Sequence, residues 1–185
     1  MKVANKIHFA LLGPGRVHGH RVVPQVELTG KFTAYSTWTT MLQPGEVILS
    51  KFVRPVEPVA SLGKVLGDRR TLYKYLNPHL IGILTVIPPM DSESDQKPTC
   101  GIYLLDDAKG SIVYHATVSS THGGVCQVHA VLAENWLLYT YYDEDVTSTV
   151  QAKGQRVVSV ELYEGNEVNE KTRRSVVSSD TVCRY

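Results

Sequence analysis

His18 and His20 are the first residues in the chain whose type and spacing could hold a metal. Two positions apart on a β-strand, they would share one face. No Asp, Glu or Cys stands in the same local element to complete a ligand set, so they read as exposed or internally satisfied histidines. His122 and His129 are too far apart in sequence to add to them. Gly13-Pro-Gly15-Arg-Val-His18 fails as a dinucleotide fingerprint, because His18 takes the third glycine's place and Pro14 sits inside the turn. Gly63-Lys-Val-Leu-Gly67 has its lysine on the wrong side for a phosphate loop. There is no Gly-x-Ser-x-Gly, and Ser119-Ser-Thr-His122 is a polar turn. Asp106, Asp107, Asp143, Glu144 and Asp145 fall in loop-like stretches, where a solvated carboxylate is the expectation. The cysteines, Cys100, Cys126 and Cys183, lack the C-x-x-C spacing of zinc fingers and thioredoxins. They allow one disulfide with a spare thiol, or three free thiols. The expectation is no catalytic residue, no cofactor, no metal and no small-molecule substrate.

The elements that would carry these residues are strands. Ile7–Leu12, Arg16–Val23, Phe32–Thr40, Glu46–Phe52, Leu72–Leu76, Leu80–Ile87, Gly101–Leu105, Ile112–Val118, Val125–Leu132, Trp136–Tyr142 and Val157–Tyr163 are short runs rich in Val, Ile, Leu, Thr and Tyr. Gly, Pro, Asn, Asp or Ser bounds each of them. No window sustains a 3.6-residue apolar period, and nine prolines would break most candidate helices. The reading is all-β with little helix. At 185 residues, 43% hydrophobic and 20% charged, the chain has globular composition. A net charge of +1 argues against nucleic acid or an anionic membrane as partner. The longest apolar run, Leu80–Ile87, is far short of the roughly 20 residues of a spanning helix. The start of the chain mimics a signal peptide only loosely, since His8 interrupts its apolar stretch. Polar stretches near 88–99, 143–155 and 164–185 read as flexible loops.

A weak repeat underlies these strands. Ile83–Ile87 and Cys100–Asp106 flank the first loop, and Leu138–Tyr142 and Val157–Tyr163 flank the second. The offset, about 55 residues, suits propeller blades with long loops. Asp106-Asp-Ala-Lys-Gly110 is a tight hairpin signal, with glycine able to supply positive φ. Its form resembles the inner hairpin of quinoprotein-like blades. The calcium-bound quinone of such dehydrogenases would need side chains on the propeller axis, and no such constellation is present. The expected fold is a partial β-propeller of about three blades, each a four-stranded antiparallel sheet, with residues 1–185 as a single incomplete propeller segment.

One segment stands out from the rest. Gly67–Leu80 packs basic residues, two tyrosines and an Asn-Pro turn into fourteen positions. On a continuous strand, Tyr73, Tyr75 and Asn77 would share one face, and Leu72, Lys74 and Leu76 the other. Two readings stay open: an interface rich in Tyr and Arg, or a blade edge whose polar groups are satisfied internally.

Gly67-Asp68-Arg69 followed by Leu72-Tyr73-Lys74-Tyr75-Leu76-Asn77-Pro78 resembles the signature of the family of the ER membrane protein complex's largest subunit. Three further stretches fit the same family: Ile102–Asp106 with Gly110–Tyr114, Val128-His129 with Glu134-Asn135-Trp136, and Val160-Glu-Leu-Tyr-Glu-Gly165. The similarity spans roughly Pro58 to Gly165, and more faintly from Ile7. His79 departs from the family's asparagine. The resemblance implies a lumenal, membrane-proximal propeller that scaffolds an insertase for tail-anchored and multipass proteins. Other subunits of that complex are its implied partners, and Asp68, Arg69, Tyr73, Lys74, Tyr75 and Asn77 its signature and possible interface. It also implies that the chain is a fragment or truncated product, joined to the membrane only through parts of the full-length protein. A soluble interaction propeller and, more remotely, a quinoprotein-like enzyme are the alternatives. About three blades cannot close a ring, so the expectation is a chain that alone is aggregation-prone, dimeric or molten. Leaving ~400 Å² of apolar face bare would forgo about 10 kcal/mol, comparable with a domain's whole stability.

Overall fold

The computed structural model describes residues 7–25, 30–89, 98–118, 121–122, 125–143, 154–165 and 182–184. In chain order the strands are β1 (His8–Gly13), β2 (Arg16–Pro24), β3 (Phe32–Met41), β4 (Val47–Val53), β5 (Gly63–Val65), β6 (Thr71–Tyr73), β7 (Leu80–Ile87) and β8 (Thr99–Asp106). They continue with β9 (Ile112–Val118), β10 (Thr121–His122), β11 (Val125–Cys126), β12 (Val128–Ala133), β13 (Trp136–Asp143), β14 (Gly154–Glu164) and β15 (Val182–Arg184). No helix occurs among the described residues, so none there is long and apolar enough to cross a bilayer. Most of the loop positions expected near 88–99, 143–155 and 164–185 lie outside the described residues.

Three antiparallel sheets follow one another along the chain: β1-β2-β3, then β4-β7-β8-β9, then β12-β13-β14-β15, with two small ribbons, β5-β6 and β10-β11. Their stacking explains why the middle strands are apolar without alternation. In β7, Ile81 and Ile83 face the first sheet, where they meet Val17 and Leu42, while Leu80 and Leu84 face the third. In β8, Tyr103 and Leu105 join the first cluster, and Cys100, Ile102 and Leu104 the second, with Leu132, Leu137, Val160 and Leu162. A strand covered on both sides needs apolar residues at every position, which the period-2 geometry assigns alternately to two cores. The result is an all-β, blade-like stack.

Two details of the strand reading change. Leu72–Leu76 is not one strand: β6 stops at Tyr73, and Lys74 instead makes an isolated bridge to Tyr163 of β14. The segment leaves its ribbon and crosses to β14 of the third sheet, so the expected two-faced alternation through Asn77 does not hold. Val125–Leu132 divides at Gln127 into β11 and β12.

The three sheets are tied at defined points. Trp38 of β3 donates from its indole nitrogen to the Asp107 carbonyl at 3.0 Å. A Cβ on Gly110 would lie 2.5 Å from that indole, and the φ of +75° there also demands glycine. Cys100 and Cys126 form a disulfide that joins the second sheet to the chain entering the third. This resolves the cysteine alternatives for that pair. Within the second sheet, buried Glu46 accepts from the hydroxyls of Thr85 and Tyr103, and also from the Gln43 amide of the preceding turn.

Candidate functional site

The four stretches that carry the family resemblance meet at one place, where the segment between β6 and β7 passes between the second and third sheets. Asp106 begins the β8–β9 turn. Its Oδ1 accepts from the Ala108 amide at 2.9 Å, and its Oδ2 from Asn77 Nδ2 at 2.8 Å. Asn77 Nδ2 also reaches the Tyr75 hydroxyl at 3.1 Å, and its Oδ1 accepts the His79 amide at 2.9 Å. The expectation of a solvated carboxylate therefore fails at Asp106, which is 3% exposed. Its turn geometry and Asn77 supply the donors that water would otherwise give.

His79 is not a bystander in an open turn. Its Nδ1 lies 2.9 Å from Asp107 Oδ1, and its carbonyl accepts the Asp107 amide at 2.8 Å. Burial pushes the Asp107 carboxyl above the usual range, and the contact with His79 opposes that rise. The His8 ring of β1 meets His79 edge-on at 5.3 Å, so the first sheet reaches the same cluster.

On the other side, Lys74 Nζ pairs with Glu134 Oε2 at 2.6 Å. That hydrogen bond holds the Glu134 carboxyl below its ordinary value. Glu134 occupies the β12–β13 turn with φ of +47°, a conformation uncommon for a non-glycine residue. Arg54 donates to the Glu134 carbonyl at 3.1 Å and to the Leu76 carbonyl at 2.8 Å. The Leu162 carbonyl accepts from both the Tyr75 amide and Asn135 Nδ2, each at 3.0 Å. Asn135 is fully buried, and its carbonyl accepts the Leu162 amide at 2.8 Å. Burial raises the Tyr75 hydroxyl's pKa.

The signature residues thus divide. Lys74, Tyr75 and Asn77 turn inward and stitch two sheets together. Asp68, Arg69 and Tyr73 face outward on the β5–β6 ribbon, with Tyr73 58% exposed. Arg54 is the joint's main residue that the sequence did not mark. Its partners are backbone carbonyls 22 and 80 positions away, which leave no pattern in the sequence.

The other candidates stay separate. His18 Nδ1 lies 3.0 Å from Thr39 Oγ1, and His20 stacks on Phe9 at 5.2 Å. Asp143 pairs with Arg156 at 3.3 Å, while Glu144 and Asp145 lie outside the described residues. Among the described residues no three His, Cys, Asp or Glu side chains gather to hold a metal. What the geometry lets the joint do chemically is hold two sheets in fixed relation, through Lys74–Glu134 on one side and Asn77–Asp106 on the other.

Comparison with known proteins points the same way. A family profile described as ER membrane protein complex subunit 1, second beta-propeller, matches residues 2–183. The ER membrane protein complex subunit 1 of Schizosaccharomyces pombe is 37% identical over 138 residues, which are 72% of this chain and 14% of that protein. The protein of the same name from Gallus gallus is 32% identical over 171 residues, 90% of this chain and 16% of the relative. The Saccharomyces cerevisiae protein is 27% identical over 77% of this chain and 17% of its own length. This chain therefore spans about a sixth of the length of the relatives it matches. With the profile covering nearly every residue, and with its own motifs meeting in one joint, the chain belongs to the ER membrane protein complex subunit 1 family, in the region of its second β-propeller.

Proposed function

We propose that this chain is a non-enzymatic scaffold segment of a lumenal propeller in the ER membrane protein complex, the machinery that inserts tail-anchored and multipass proteins into the ER membrane. One observation carries the reading: residues within the stretches that carry the resemblance, Lys74, Asn77, Asp106 and Glu134, tie the second and third sheets together. Lys74–Glu134 and Asn77–Asp106 are contacts between elements, which is the work of a scaffold. The Cys100–Cys126 disulfide supports a lumenal location, because such bonds persist mainly in secretory compartments. It counts against a cytosolic interaction propeller. The partners in this reading are sibling subunits of the complex. Affinity purification of the full-length protein from ER membranes tests it. Stoichiometric recovery of those subunits is expected, and recovery of none would refute it.

A further inference from the structure

The β5–β6 ribbon carries a turn whose chemistry is inverted. The Leu66 amide donates to the Arg70 carbonyl at 2.8 Å and the Arg69 amide to the Leu66 carbonyl at 3.0 Å, closing a three-residue loop, Gly67-Asp68-Arg69. Such loops place their third residue in the left-handed region, a seat that favours glycine. Here glycine stands first and Arg69 takes that seat, with φ of +69°. Asp68 does not neutralise it. Its carboxylate is tied to Arg70 instead, accepting from the amide at 3.0 Å and from Nε at 2.7 Å. Arg69 is exposed. Beside it, β5 and β6 pair Val65 with Thr71 and Gly63 with Tyr73, so Val65, Thr71 and Tyr73 share one face. Val65 is 72% exposed and Tyr73 58%.

We propose that this ribbon is a docking element for an acidic segment of a sibling subunit, with a carboxylate on Arg69 and the adjoining side chain on the Val65–Tyr73 face. Charge selects the occupant. Lys64, Arg69 and Arg70 on the ribbon stand against a single carboxylate, Asp68, and an exposed guanidinium suits a forked contact with a carboxylate. The partner's being a sibling subunit rests on the scaffold reading above; the acidic chemistry does not.

The test uses the full-length protein in its assembled complex. A photoreactive residue at Thr71 is expected to crosslink to a peptide containing Asp or Glu in a sibling subunit. Arg69→Glu should release that subunit about tenfold more readily, and Arg→Glu exchange with the crosslinked acid should restore it. Arg69→Gly suits the turn, so it should keep the parent's thermal transition while weakening the contact in the same direction. Crosslinks to lipid, to a second copy or to none of the siblings, or Arg69→Glu without effect, would overturn the proposal. If the wild type recovers its siblings and Arg69→Glu keeps them equally well, this inference falls alone. If the wild type recovers none, the scaffold reading falls with it.

Discussion

Replacing Asn77 with alanine is expected to open the joint between the second and third sheets. The change removes donors 2.8 Å from Asp106 Oδ2 and 3.1 Å from the Tyr75 hydroxyl, together with the acceptor of the His79 amide. Asp106 is 3% exposed, so water cannot readily replace the lost partner. A hydrogen bond to a charged group contributes about 1.5–3 kcal/mol, and a neutral one about 1 kcal/mol. The two lost donor contacts, one to a charged and one to a neutral acceptor, therefore set the loss at about 3 kcal/mol, with water replacing Asn77 at the amide of half-buried His79. Hydrogen exchange of the full-length protein reads this locally: the Asp107 and Gly110 amides should lose about two orders of magnitude of protection. Arg70→Ala is the control. The Asp68–Arg70 pair is 45% and 65% exposed at its side chains, and solvent screens such pairs so that they add little to stability. If Asn77→Ala changed protection no more than Arg70→Ala, the assignment of the signature to a buried joint would be wrong.

Other expectations follow from the same contacts. Replacing Cys100 and Cys126 together with alanine releases a constraint between residues 26 apart, which chain entropy values at about 3.5 kcal/mol, and denaturant titration of the full-length protein should show a loss of that order. Glu134 is held below its ordinary value by Lys74, so its contribution is present above the unfolded carboxylate's pKa and is lost as pH falls through the folded one. The gap in melting temperature between wild type and Lys74→Met should therefore shrink below about pH 4.5. On the outer face of the third sheet, Val131, Trp136 and Val157 share one side and are 51%, 37% and 71% exposed. The isolated chain should accordingly elute from size exclusion as dimers or aggregates, and a monodisperse monomer with a sharp melt would contradict that.

Much of this architecture could be read from residue order, for reasons that differ by place. Leu80–Ile87 was legible because an unbroken apolar run between turn residues suits a strand buried on both faces. The Asp106–Gly110 turn announced itself through Asp-x-x-x-Gly. Gly63–Val65, Thr121–His122 and Val182–Arg184 are too short to show alternation, and they were missed. Leu72–Leu76 looked like one strand because alternation cannot report that a chain changes partner after Tyr73. The signature was visible as residue types, but its division into an inward and an outward half was not. That division depends on Glu134, Asp106 and Leu162, which arrive from turns and strands distant in sequence. Asp106 and Asp107 were misjudged for a related reason: a carboxylate in a turn is solvated unless something packs on the turn, and Trp38, His79 and Asn77 do.

The measurement that bears most directly on the scaffold account is the yield of sibling subunits purified with full-length protein carrying both Lys74→Met and Asn77→Ala, relative to wild type. If the joint holds the blades on which the complex assembles, wild type recovers the siblings in stoichiometric amounts and the double variant loses most of them, with the protein still present in the membrane. Equal recovery by the double variant would contradict the account.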